Sequence, residues 1–448
     1  MQRKLSGREM QEARHLLKTR RADAWIDIIQ RYGTTFWYPG GVATADPHVV
    51  QALLIDRVHT QQRSHAYKTM ARLIPGADGV LFRDGDAWVQ HARAVMPVFH
   101  RSHIDSFPAL IHETVLARAA RWRTEEPLPD LFTAVTEIGT AIILRVGYGF
   151  ASNDPLGQQL GNVLKTYKDQ TMNSSERLDE FGLPAPKLTH LPQMIRTGTV
   201  LKRQVQEIRA LVQEVIRQRA VQQDDGNDWI SRMHCAGLPL HEIADEVNHL
   251  YGAFTAIDFI ITAAFYELSR NPELVPVLRT ELDHRLIDRA YPTHDDLALL
   301  PHTRNFLHEV LRRYPVSMGV ARHTGTALIV GDIHIPAHTE VFILLYGLQH
   351  HPDFWTNPEV FDVYRWETTT PAPYTFVPFL EGPRKCIGRY MAEMHFVVVL
   401  NALLQHYDFQ VLDHTIRLTP YLIPRFERAM PAIVHRRVPQ SSGPDIAR

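Results

Sequence analysis

The ten residues Phe379-Leu-Glu-Gly382-Pro-Arg384-Lys-Cys386-Ile-Gly388 carry the densest chemistry in this 448-residue chain. Cys386 stands just before a strongly apolar stretch, residues 387–404, that reads as a helix. A cysteine at a helix N-terminus meets unpaired backbone N–H groups and the positive end of the helix dipole. Both favour the thiolate, which is the metal-binding form. Gly382 and Gly388 let the backbone come close to a flat ligand and aim N–H groups at sulfur. Arg384 offers a planar fork suited to a carboxylate, and Phe379 would screen the sulfur from water. A lone cysteine is more often a buried structural residue, so the reading depends on the spacing around it.

That spacing resembles the heme-binding loop of the cytochrome P-450 family, Phe-x-x-Gly-x-Arg-x-Cys-x-Gly, at all five fixed positions. Ala392 also matches the small residue that the family places six positions after the cysteine. Glu309-Val-Leu-Arg312 sets an acid and an arginine on one helical face, which alone is a common surface pair. Here Tyr314-Pro315 follows, and Arg365 comes 53 residues after Arg312. The layout is similar to the family's Glu-x-x-Arg pair and later arginine, which form a network supporting the cysteine loop. The match is partial, because Val363-Tyr364 replaces the usual Pro-Glu before that arginine. The resemblance runs from about Tyr32 to Val434 and is weakest between residues 150 and 235.

The resemblance implies further roles. Asp84-Gly-Asp-Ala-Trp88 is similar to the start of the helix whose tryptophan bonds a heme propionate. Four residues after that tryptophan the family has Arg or His. Here Ala92 stands there, and His91 and Arg93 are each one position off, so neither inherits the role. Arg322 and Arg384 resemble the remaining propionate partners.

The oxygen site departs from the family. Its pattern, Ala/Gly-Gly-x-Asp/Glu-Thr, relays protons to bound dioxygen. This chain reads Tyr251-Gly252-Ala253-Phe254-Thr255-Ala256-Ile257-Asp258. Matching Gly252 locally sets Thr255 at the alcohol position and Phe254 at the acid. Counting back sixteen residues from Pro272 sets Ala256 at the alcohol and Thr255 at the acid. In either register no carboxylate precedes the alcohol, so the usual relay is altered or missing. Asp258 is a candidate acid further along, although a core-paired or surface carboxylate is the commoner role.

These residues need elements to hold them. Residues 34–44 read as strand, turn and strand, and Asp46-Pro47 starts a helix with Asp46 as its cap. Residues 134–146 and 200–220 carry helical apolar periodicity. Prolines 184, 186 and 192 mark residues 173–192 as a loop or lid. Residues 240–270 contain no proline and stop at Asn271-Pro272, so one helix of roughly 45 Å is expected. Residues 327–345 read as strands turning at Gly331-Asp332. A substrate pocket is expected from the loop at residues 70–82, the lid, the central helix with Ala253 and Phe254, residues 316–320 with Met318 and Val320, and Leu422.

Composition narrows the classes. Lys plus Arg total 48 against 49 Asp plus Glu, a net charge of −1, which argues against a nucleic-acid partner. Two cysteines, Cys235 and Cys386, exclude a disulfide framework and a four-cysteine zinc site. Cys235 reads as an inert or partly exposed thiol. His241-Glu-Ile-Ala-Asp245 and His308-Glu-Val-Leu-Arg312 each lack the second histidine of a zinc-protease helix. No signal core and no membrane-length apolar run is evident, and a soluble cytoplasmic protein is expected.

The fold class expected is mainly α with small β-sheets, a single heme-binding domain over residues 1–438 with a disordered tail at 439–448. The resemblance implies heme b (iron protoporphyrin IX) and a monomeric monooxygenase. It would act on a hydrophobic small molecule, such as a terpenoid, fatty acid or polyketide. Electrons would come from a ferredoxin or flavodoxin and its NAD(P)H reductase, docking near Lys385 and Arg389. Two alternatives stay open because of the altered helix: peroxide-driven or non-oxygenating chemistry, and a catalytically idle heme protein that senses a ligand or binds a carrier protein.

Overall fold

The central helix runs over Leu240–Arg270 as its sequence requires, from just after Pro239 to Asn271, where Pro272 prevents its continuation. Every residue from Asp258 to Leu268 is buried, so this half of the helix lies in the core on all sides, enclosing Asp258, Thr262 and Glu267 with its apolar residues. By length and composition the helix could cross a membrane, but 72% of its most apolar window is buried inside the protein. The helices Leu131–Ile142, Leu191–Gln222 and Arg389–His406 pack around it. The computed structural model describes residues 3–56, 64–76, 78–175, 191–222 and 227–437.

Three small sheets flank this helical body among the described residues. The largest runs β1 (Arg3–Lys4), β2 (Thr35–Tyr38), β3 (Gly41–Thr44), β8 (Glu340–Ile343) and β5 (Val320–His323), with β5 at an edge. β2 and β3 form the expected hairpin, and Asp46 caps the next helix by accepting from the N–H groups of His48 and Val49. β4 (Pro127–Leu128), β10 (Ala432–Arg436) and β9 (Tyr407–Val411) make the second sheet. β6 (Leu328–Val330) and β7 (Ile333–Ile335) pair across the expected Gly331-Asp332 turn.

The expected fold class is what the chain adopts: one mainly helical unit with small sheets. Two local expectations change. Residues 70–73 are not loop, because the helix His65–Leu73 includes them. Around the expected lid, helix continues to Ser175 and resumes at Leu191, and residues 176–190 lie outside the described residues. The 439–448 tail lies outside them too. The Val320–His323, Tyr407–Val411 and Ala432–Arg436 strands were not legible. Each is short and is defined by a partner distant in sequence or by an edge, which local periodicity does not report.

Candidate active site

The cysteine loop folds back on itself before its helix starts. The Cys386 N–H donates to the Phe379 carbonyl at 2.7 Å, and Lys385 N–H donates to Gly382 O at 3.1 Å. Gly382 has φ +77°, and a Cβ there would lie 2.1 Å from the Leu54 carbonyl oxygen. This glycine therefore serves close contact with the helix Pro47–Ile55, rather than approach to a flat ligand. Gly388 caps the helix Arg389–His406, its carbonyl accepting from Ala392 N–H at 2.8 Å. A Cβ on Gly388 would come 4.0 Å from the Cys386 sulfur. The thiol is solvent-accessible, yet surrounding protein raises its pKa, partly offset by the Gly388 N–H and the Arg389 charge. A bound metal cation reverses the penalty, because a coordinating thiol is deprotonated. Phe379 is half-buried, with the Arg389 guanidinium 5.4 Å over its ring.

Glu309 centres the supporting network. Its two carboxylate oxygens accept from Arg312 at 2.7 and 2.9 Å, Arg365 Nε at 3.2 Å and the Asp362 N–H at 3.0 Å. The indole N–H of Trp366 also donates to it, at 3.0 Å. Arg312 and Arg365 use their remaining donors on carbonyls of residues 349–360, including Gln349, Pro358 and Asn357. The sequence reading brought together Glu309, Arg312 and Arg365 but missed Trp366. An aromatic with an N–H, directly after the arginine, was the available signal.

Arg384 lies over the Trp88 indole, 4.0 Å from its centroid, and donates to the Arg83 carbonyl at 2.9 Å. Arg322 is buried on β5. His91, near the vacant family position at Ala92, turns toward the central helix. Its Nδ1 is 2.9 Å from Glu242 and its Nε2 2.6 Å from Glu246. Glu246 also accepts the Val80 N–H, and His249 Nδ1 lies 3.5 Å from its other oxygen. Arg83 pairs with Glu242 at 3.2 Å. Burial opposes charge in this cluster, but the His249 and His91 contacts hold Glu246 down to about 2. Glu246 and Glu242 likewise raise His91 against burial and the Arg83 charge. Sequence reading missed these residues, although Glu242, Glu246 and His249 follow i, i+4, i+7 spacing on one helical face.

Mid-helix, the open face is small. Ala253 is exposed although Tyr251 and Phe254 beside it are buried, and Ala256 and Ile257 are half-buried. Ala253, Ala256 and Ile257 share a side by helical periodicity. Thr255 donates its hydroxyl to Gly252 O at 2.7 Å. Phe254 turns into the core, with ring contacts to Trp229 at 5.6 Å and His395 at 5.4 Å, so it does not join the open face. Asp258 turns away as well. Its carboxylate packs on Gly139, where an added Cβ would lie 1.9 Å from Oδ1. Burial pushes its pKa well above the carboxylate range, with Lys168 opposing only in part. The expected grouping of Asp258 with Thr255 and Ala256 is therefore not made.

The expected pocket residues Met318 and Leu422 are joined directly: Met318 N–H donates to Leu422 O at 2.9 Å. Met318 and Val320 are buried and Leu422 is half-buried. Met70 and Leu73 have side chains outside the described residues.

Heme fits this donor set. An exposed free cysteine stands beside a glycine-capped helix, and arginines suited to propionates stand on the loop and on β5. Cys235, in contrast, is an exposed free thiol ending the helix Trp229–Cys235.

Comparison with known proteins agrees. The family model described as Cytochrome P450 matches residues 22–423. Cytochrome P450 4A12 of Rattus norvegicus is 27% identical over 387 residues, covering 81% of this chain and 74% of its own. The LUTEIN DEFICIENT 5 protein of Arabidopsis thaliana is 24% identical over 406 residues, covering 84% and 67%. A solved structure titled retinoic acid bound cyanobacterial CYP120A1 superposes with a TM-score of 0.75 at 19% identity, over 93% of this chain and 94% of that one. At that identity the superposition speaks for fold, and the family match carries the activity. With that match over nearly the whole length, the chain belongs to the cytochrome P450 family, and is a heme b-binding heme-thiolate monooxygenase.

Proposed function

We propose that this enzyme inserts one oxygen atom from O2 into a hydrophobic small molecule of terpenoid, fatty-acid or polyketide type. Electrons come from a separate ferredoxin or flavodoxin with its NAD(P)H reductase. Cys386 is the residue to hold the iron, and Trp88, Arg322 and Arg384 the ones to bind the propionates. When bound, the heme supplies thiolate-assisted O–O cleavage. The remaining work belongs to the chain: Glu309, Arg312 and Arg365 fix the segment before the cysteine loop, and Val320 and Leu422 offer apolar contact to substrate, Met318 being fully enclosed by protein. Exposed Lys385 beside the ligand supports docking of an acidic electron carrier.

The observation that carries this reading is the exposed Ala253 with half-buried Ala256 and Ile257 on the same side of the central helix, which leaves a small open face for substrate and oxygen. The helix is continuous from Ala256 to Arg270, which supports the counted register with Ala256 at the alcohol position. Proton delivery then falls to water, to substrate groups or to Thr255, whose hydroxyl faces Gly252 O. Binding spectra against a lipid and terpenoid panel, with retinoic acid included, test the substrate class. Spectral shifts confined to polar compounds would reject it.

Peroxide-driven or non-oxygenating chemistry is a second reading, favoured by the turning of Asp258 toward Gly139. Tight coupling of NAD(P)H oxidation to product in wild type, lost in Thr255→Ala, would eliminate it.

A further inference from the structure

Outside the heme region, three ligand-type side chains from three separate elements converge on one point. His323 on β5 stands directly opposite Glu340 on β8 in antiparallel register. Strand alternation sends Arg322 and Val341 to the other face, so this pair belongs to a different surface from the cofactor residues. His65 opens the helix His65–Leu73 and reaches over the sheet edge to the same carboxylate. Glu340 Oε1 lies 2.8 Å from His65 Nδ1 and 2.9 Å from His323 Nδ1, and accepts the His65 backbone N–H at 3.0 Å. The two imidazoles meet edge to face, 4.9 Å between centroids. One donor atom from each residue lies within 4.8 Å of the other two.

We infer that His65, His323 and Glu340 form a binding site for a divalent transition metal of the zinc class. Two imidazoles and one carboxylate suit Zn(II), Ni(II) or Cu(II), and are a poor set for Mg(II) or Ca(II), which require oxygen ligands. Tetrahedral ligands about 2.1 Å from zinc lie roughly 3.4 Å apart. The present cluster reaches that by a small shift of the His65 ring, which is exposed. His323 is buried and Glu340 half-buried, so two ligands are fixed by the strand ladder before metal arrives. Water completes the coordination on the exposed side. The ion then clamps the first turn of His65–Leu73 to the sheet edge at β5.

The test uses the heme-loaded enzyme, freed of adventitious metal with a chelator and titrated with zinc sulfate by calorimetry, with hydrogen exchange followed over residues 65–73. Wild type is expected to take up one tight equivalent and to slow exchange in that helix. His65→Ala, an exposed change that leaves the sheet intact, and Glu340→Gln, which keeps the side-chain volume, should each weaken that equivalent. The loss should exceed the roughly 10–100-fold that removal of an outer-sphere partner costs. Magnesium sulfate should neither bind nor compete. With 25 histidines in the chain, weak additional uptake shared by all variants is surface binding and leaves the tight equivalent as the readout. No tight equivalent in wild type, or one that both variants retain, overturns the assignment.

Discussion

The Arg384 guanidinium lies over the indole of Trp88, 4.0 Å from the ring centroid, and thereby ties the cysteine loop to the helix Gly85–Val95. A partly desolvated cation–π contact of this kind contributes about 1–2 kcal/mol, and a lysine cannot reproduce the planar fork. Arg384→Lys should therefore release heme about tenfold faster, measured by transfer to an excess of a heme-scavenging protein. Trp88→Phe keeps an aromatic face but loses the N–H, and should show a smaller change. An unchanged release rate in both variants would remove this contact from the cofactor site.

Asp258 should behave as a packing residue. An acid whose folded pKa lies above its unfolded value binds more proton when folded, so its contribution to stability falls as pH rises past the ordinary carboxylate range. Asp258→Asn removes that dependence. The variant should gain stability relative to wild type between about pH 5 and pH 8 in denaturant titrations. Product formation should stay within about threefold, whereas loss of a true proton donor costs about 100-fold or more.

The His91–Glu246 contact gives the opposite pH signature. Glu246 is held down to about 2, so its contribution is present above the ordinary value of 4.5 and is lost as pH falls toward 2. His91 is raised, so its contribution is complete below 6.5 and is lost as pH rises through its folded value. The stability difference between wild type and His91→Gln should be greatest between pH 4.5 and 6.5 and narrow at higher pH. A difference that grows with alkalinity would contradict the charged pair.

Glu309 neutralises two buried arginines, so Glu309→Gln leaves positive charge without its partner and should cost about 3–5 kcal/mol in folding. Trp366→Phe removes one hydrogen bond to a charged acceptor, with an expected loss of about 1.5–3 kcal/mol. Thermal and denaturant unfolding would rank the two. Equal losses would mean that the indole N–H matters as much as the ion pairs.

Legibility in the sequence followed the range of the interaction. The bounds of Leu240–Arg270 were readable because Pro239 and Pro272 limit a long run of helix-forming residues. The cysteine loop and the Glu309 partners were readable because fixed spacing encodes them. The roles of single residues were harder. Phe254 and Asp258 sit one and five positions from the exposed Ala253, and only the packing of Trp229, His395 and Gly139 shows that both point elsewhere. Gly382 was read as making room for a ligand, but it makes room for Leu54, a contact between distant segments. His91 could not be placed from the sequence, because its partners lie about 150 residues away on another helix.

The proposed chemistry depends above all on Cys386 as the thiolate ligand of the heme iron. The most direct measurement is the absorption spectrum of the reduced carbon monoxide complex in wild type, Cys386→His and Cys235→Ser. Wild type and Cys235→Ser should show a thiolate-type band, replaced by an imidazole-type band in Cys386→His. A thiolate-type band that survives in Cys386→His, or that disappears in Cys235→Ser, would contradict it.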